Sequence, residues 1–280
     1  MRHERLDTPG TLRLDLSVPA GEIDVRTQDG AETSVELVPL GGNDASAQAV
    51  ETARIELRDR GADEHELVVD VPDSRGLGIF SRGAEVRLVI RCPVGAHLRA
   101  QGGSADVRAA GRYGSADVRT GSGDVELAEV EGDAKLKSGS GDVSLERVEG
   151  ALSAQTASGD LAVGRAGGPA SLRAASGDVV VRDAASDLSV QTASGDVRAE
   201  AVTAGEVSLQ SASGDVYVAV RKGRRLWVDA KSMSGDTTSE LEVGDAPAEE
   251  EEGPLVELRV ATMSGDVHVA RAAAEAGLER

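Results

Sequence analysis

The chain alternates between apolar and polar positions. Val125, Glu126 and Leu127 read apolar, polar, apolar, and the pattern returns at Val143, Ser144 and Leu145. It returns again as Leu161-Ala162-Val163 and Val179-Val180-Val181. The outer two positions of each triplet stay apolar. The middle one wanders through Glu126, Ser144, Ala162, Val180, Arg198 and Tyr217, as a solvent-facing position can. Period-two alternation rich in β-branched residues predicts short strands with one face buried. A second strand is predicted half a period on. Its inward column reads Val118, Leu136, Ala154, Leu172, Val190 and Leu209, and its outward neighbours Arg119, Lys137, Gln155, Arg173, Gln191 and Gln210. Between the two strands a looser turn tucks in Val130, Val148, Ala166, Ala184 and Val202.

A tripeptide sets the period. Ser-Gly-Asp occurs eight times, ending at Asp124, Asp142, Asp160, Asp178, Asp196, Asp215, Asp236 and Asp266. The first five aspartates stand 18 residues apart, and the spacing then drifts to 19, 21 and 30. Asp106, in the variant Gly-Ser-Ala-Asp, stands one period earlier. A period could be one hairpin of a meander or one coil of a solenoid. Columns that keep their inward or outward character over exact periods favour stacked coils. The predicted fold is all-β: a parallel β-solenoid, or β-helix-like stack, with about 18 residues per coil and equivalent residues about 4.8 Å apart. One coil cannot bury its inner face alone, so several must stack. The drift after Asp196 is read as surface insertions into later coils.

Residues 1–95 lack this register and are predicted to be a β-rich segment that caps the solenoid, because bare strand edges invite association. Leu12, Leu14, Leu16 and Val18 alternate there, and Asn43 or Asp44 can cap a short helix running to Ala53. Strands are predicted near Ile55–Arg58 and Leu67–Val71, and another over AEVRLVIRCP, ended by Pro93. Residues 96–270 form the repeat solenoid, with an acidic loop at 244–254. Residues 271–280 are a helix-prone tail expected to cover the last coil.

Composition narrows the partners. The formal charge is −19 over 280 residues, and Phe80, Tyr113, Tyr217 and Trp227 are the four aromatic side chains. Nucleic acids reward basic and stacking surfaces, so none is expected as a partner. Cys92 is the single cysteine, which leaves no internal disulfide and no cysteine metal cluster. No segment reaches the roughly 18 apolar residues of a membrane helix. The opening MRHERLDTPG has no apolar stretch behind its charges, so the expected location is cytoplasmic.

Two features could carry chemistry. Stacked coils would line up Asp106, Asp124, Asp142, Asp160, Asp178, Asp196, Asp215, Asp236 and Asp266 as a column of turn residues. Neighbouring carboxylates at that spacing repel by roughly 0.9 kcal/mol even in water. The column is expected to be structural, each Asp and Ser accepting backbone N–H groups of its own turn, with Gly at the corner. A calcium-binding β-roll is the alternative, but only one of the two turns per period keeps Gly and Asp, and calcium takes six or more oxygens. The second feature is VRKGRRLWVD, where Arg221, Lys222, Arg224 and Arg225 precede Trp227. It is either a docking patch for an acidic partner or another copy, or a solvated turn whose Trp227 fills the core of a wider coil.

His3, His65, His97 and His268 are scattered, with no metal-ligand spacing. No Ser sits in a nucleophile elbow. No catalytic, cofactor or metal residue is assigned, and no cofactor is expected.

Three stretches carry a resemblance: LSVPAGEIDVRT near the start, VRLVIRCPVGAHLRA leading into the repeats, and the successive SGDV strands. Over roughly residues 10–270 the chain resembles the bacterial "putative adhesin" β-strand-repeat family, a domain of unknown function. The resemblance implies a β-solenoid-like fold and a non-enzymatic role. The expected function is a non-catalytic structural or interaction module that binds a protein partner or self-associates. The alternatives are a carbohydrate-active or metal-dependent enzyme on a β-helix scaffold, or the calcium-binding β-roll.

Overall fold

The structure, a computed structural model, describes residues 1–61, 63–73, 83–240 and 254–272. Phe80, the predicted acidic loop except Pro254, and the tail from residue 273 lie outside the described residues. The chain divides into two compact units, Met1–Val148 and Glu149–Arg280.

In the first unit the strands are β1 (Arg2–Asp7), β2 (Thr11–Gln28), β3 (Glu32–Pro39), β4 (Arg54–Gly61), β5 (Glu64–Asp70), β6 (Val86–Pro93), β7 (His97–Tyr113), β8 (Ser115–Thr120), β9 (Val125–Val130), β10 (Ala134–Ser138) and β11 (Val143–Val148). Helix α1 (Asp44–Thr52) begins at Asn43, whose side chain accepts the Ser46 N–H at 2.6 Å. The amide acceptor satisfies one of the donors that a helix start leaves bare.

Parallel stacking begins further toward the N-terminus than the tripeptide register suggests. β2 and β7 are long strands that pair in parallel, Arg13 with His97 through to Arg26 with Ala110. β2 is therefore itself a coil, and its other side pairs in parallel with β5 and β6. β7 then stacks on β8 and β9, β8 on β10, and β9 on β11. β1, β3 and β4 are the antiparallel additions: β1 on β3, β3 on β6, and β4 on β5.

The second unit holds β12 (Leu152–Ser158), β13 (Leu161–Ala166), β14 (Ala170–Ser176), β15 (Val179–Ala184), β16 (Leu188–Ser194), β17 (Val197–Val202), β18 (Gly205–Ser213), β19 (Val216–Val220), β20 (Arg225–Ser232), β21 (Thr237–Ser239), β22 (Leu255–Ser264) and β23 (Val267–Arg271). They form two stacks of parallel strands. One runs β12, β14, β16, β18, β22, β20. The other runs β13, β15, β17, β19, β23, β21. The coils thus do not stack in sequence order. The last coil of the sequence, β22–β23, sits between β18–β19 and β20–β21. The drift in spacing after Asp215 marks this exchange of places as well as an insertion.

The fold is the expected parallel β-solenoid. Val118 and Leu136 in the first unit, and Ala154, Leu172, Val190 and Leu209 in the second, are buried, and the loose-turn residues Val130, Val148, Ala166, Ala184 and Val202 tuck in beside them. Each such valine or leucine contributes about 1.5–3 kcal/mol by leaving water. A third inward position is polar: Thr120, Ser138, Thr156, Thr192, Ser211 and Thr262 are buried at the tight corner. Their hydroxyls satisfy the turn. Thr120 accepts the Gly123 N–H at 3.0 Å and Ser138 accepts that of Gly141 at 2.8 Å. Ser211 and Thr262 donate to the carbonyls of Gly195 and Gly214. This inward hydroxyl, a few residues ahead of the tripeptide, has the turn-tying role that the sequence reading gave to the tripeptide's own Ser.

Candidate functional site

The aspartate column is a ladder of hydrogen bonds between coils. Asp124 N–H donates to Asp106 Oδ1 and Asp142 N–H to Asp124 Oδ1, both at 3.0 Å. In the second unit Asp178 donates to Asp160, Asp196 to Asp178, and Asp215 to Asp196, each at 2.8 Å. The ladder then passes from Asp215 to Asp266 at 2.7 Å and from Asp266 to Asp236 at 2.8 Å. The carboxylate therefore bonds the neighbouring coil, where its own turn had been expected. A hydrogen bond to a charged acceptor contributes about 1.5–3 kcal/mol, enough to offset the repulsion of the adjacent carboxylate. Among the described residues no group of three or more His, Cys, Asp or Glu side chains is placed to hold a metal ion.

The side chains of the segment 221–227 have different surroundings. Arg221 lies in the turn after β19, where its N–H donates to the Val202 carbonyl and its guanidinium reaches Asp183 at 3.0 Å. Asp183 also takes Arg165, at 2.5 Å, and is largely covered. Gly223 turns the chain with a φ of +73°. Lys222 and Arg225 are exposed, and the Nε atom of Arg224 is buried without a hydrogen-bond partner. Trp227 does not fill a core. It lies on the outward face of β20, 48% exposed, with the Arg259 guanidinium 5.7 Å from its ring centroid. Arg259 also pairs with Glu206 and Glu257. Strand parity decides this. Leu226, Val228 and Ala230 take the inward positions of β20, so Trp227 between them points out.

The coil that carries Trp227 differs from the others. Among the described residues β20 pairs only with β22, and β21 only with β23. Along one inward row, Leu188, Val207 and Leu258 are buried, whereas Val228, in register with them, is 39% exposed. Met233, after β20, is 84% exposed. Among the described residues no strand covers the inner face here.

Two outer features accompany it. On the other strand stack, Arg198, Tyr217 and His268 stand in register. Arg198 lies 4.9 Å over the Tyr217 ring, and Tyr217 and His268 stack at 5.4 Å. Glu240 holds His268 Nε2 at 3.3 Å. These ring faces are used against one another. A shallow groove of about 480 Å³ follows the loose turns and is lined by Leu152, Pro169, Ser171, Asp187, Ser189 and Glu206, among others. Asp187 Oδ1 already accepts the Glu206 N–H at 2.9 Å, and Glu206 pairs with Arg259.

In the first unit Cys92 is buried, and loss of solvation pushes its thiol up to about 12. Tyr113, also buried, donates to the carbonyls of Val25 and Ala110, and burial and Cys92 push its phenol upward too. Both are structural core groups. The edge strand β4 is laced with charge: Glu56 takes Arg54 and Arg58, and Glu66 of β5 takes Arg58 and Arg60. These arginines hold the Glu56 and Glu66 carboxyls below the ordinary glutamate range. Among the described residues no helix is long and apolar enough to cross a membrane.

Fold and turn chemistry define a parallel β-solenoid of Ser-Gly-Asp coils. The Toastrack DUF4097 family matches residues 13–270, and the chain belongs to that family. No curated protein matches the sequence. Among solved structures the chain is similar to a putative adhesin from Bacteroides fragilis NCTC 9343, at 13% identity, 96% of each chain covered and a TM-score of 0.45. It is also similar to two proteins from Parabacteroides distasonis ATCC 8503. One is a putative lipid binding protein, at 15% identity, 96% of each chain covered and a TM-score of 0.41. The other is a putative adhesin, at 12% identity, with 95% of this chain and 96% of that one covered and a TM-score of 0.39.

Proposed function

We propose that this chain is a non-catalytic interaction module that binds a protein partner at the coil formed by β20 and β21. The observation that carries the reading is the one-sided pairing of these two strands among the described residues, with the apolar side chains of Val228 and Met233 exposed beside them. A strand bonded on one side offers a row of backbone donors and acceptors, and strand addition is a general mode of protein recognition. Trp227 adds a large, rigid contact residue at the rim.

Photo-crosslinking in the native cell tests this. A photoreactive residue at position 233 is expected to give discrete protein adducts, while the same residue at position 191, exposed on β16, gives none. Equal background at both positions overturns the reading.

A further inference from the structure

We infer that the partner at this coil is a second copy of the same chain, joined by antiparallel pairing of β20 with β20 about a two-fold axis through Trp227. The inference rests on the docking reading above and names its occupant. The sequence Arg225-Leu226-Trp227-Val228-Asp229 is complementary to its own reverse. Centred on Trp227, an antiparallel pair sets Arg225 opposite Asp229, Leu226 opposite Val228, and Trp227 opposite Trp227. Directly opposed residues lie on the same face of a sheet. The inward row Leu226, Val228, Ala230 of one copy would therefore continue as the inward row of the other, closing the exposed core at Val228.

Register is set by charge. Sliding the pair by two residues, the smallest shift that keeps inward residues opposite inward ones, places Arg225 opposite Lys231 and Trp227 opposite Asp229. Sliding it further places Asp229 opposite itself. Like charges directly opposite destabilise a strand pair, so the Trp227-centred register is favoured over these two. Asp229 takes the Lys231 ammonium at 2.8 Å within one chain, and the dimer gives it a second cation.

The contact is local in charge. The chain carries −19, yet Lys222, Arg224, Arg225 and Lys231 gather on and beside β20. A two-fold contact of one patch with itself closes, which gives a dimer and leaves no open end for a fibre.

Sedimentation of the full chain over a concentration series tests the inference. Wild type is expected to dimerise. Arg225→Asp and Asp229→Arg are each expected to weaken the dimer about tenfold, since each opposes like charges twice. Mixing the two variants is expected to restore wild-type affinity in a mixed dimer, because every opposed pair is then Asp with Arg. Both positions are at the surface, and unchanged melting of each variant separates a docking effect from misfolding. Wild type that stays monomeric to ~100 µM overturns the inference. So does a dimer that neither variant weakens. Adducts at position 233 then tell which occupant takes its place: another protein keeps the docking reading alive, and an intrachain adduct to residues 241–253 ends both.

Discussion

Gly177 shows what the repeat demands of single residues. Its φ is +140°, and a Cβ there would fall well inside van der Waals distance of the Gly159 carbonyl oxygen. Gly195 meets the Gly177 carbonyl in the same way. The tripeptide's glycine is thus fixed twice, by a left-handed corner and by the approach of the neighbouring coil. Gly177→Ala is expected to cost about 2–3 kcal/mol in denaturant unfolding. A loss below about 0.5 kcal/mol would mean that the coils are not stacked this closely. The corner itself was legible in the sequence, since Gly between Ser and Asp signals a turn. The close approach was not, because a repeat does not say what lies above it. The same blindness hid the carboxylates' bonds: Asp178 accepts from Asp196, 18 residues away.

Strands follow from periodicity, but their order does not. Alternation located β13, β15 and β17, and parity alone placed Val179 inward and Val180 outward. The exchange of β22–β23 with β20–β21 leaves the alternation of each strand intact, so no local pattern reveals it. Parallel strands are joined by long connections, and a connection of suitable length can skip a place in the stack. Cysteine pairs can read the order directly. Gln210, Ala261 and Lys231 are outward residues in register on β18, β22 and β20. In a Cys92→Ala background, Gln210→Cys with Ala261→Cys is expected to form a disulfide. Gln210→Cys with Lys231→Cys, two coil spacings apart, is expected to remain reduced, since bridged Cα atoms lie within about 7 Å. The opposite result would put the coils back in sequence order.

Across the whole molecule the sequence was most informative where structure is repetitive and least where the repetition stops. The inward columns needed only burial and a fixed period. The coil of β20 and β21 is set apart by its pairing on one side only among the described residues, which no residue encodes. Trp227 was legible as unusual, beside Arg224 and Arg225, but its exposure follows from its outward parity on β20, between the inward Leu226 and Val228. An acidic solenoid whose β20 and β21 pair, among the described residues, on one side only is what the interaction reading rests on. Amide hydrogen exchange on the dilute full chain tests it most directly. β20 and β21 are expected to exchange about a hundredfold or more faster than β22 and β23, although they come earlier in the sequence. Slow exchange in β20 and β21 with fast exchange in β22 and β23 would contradict the account, because the open edge would then lie elsewhere.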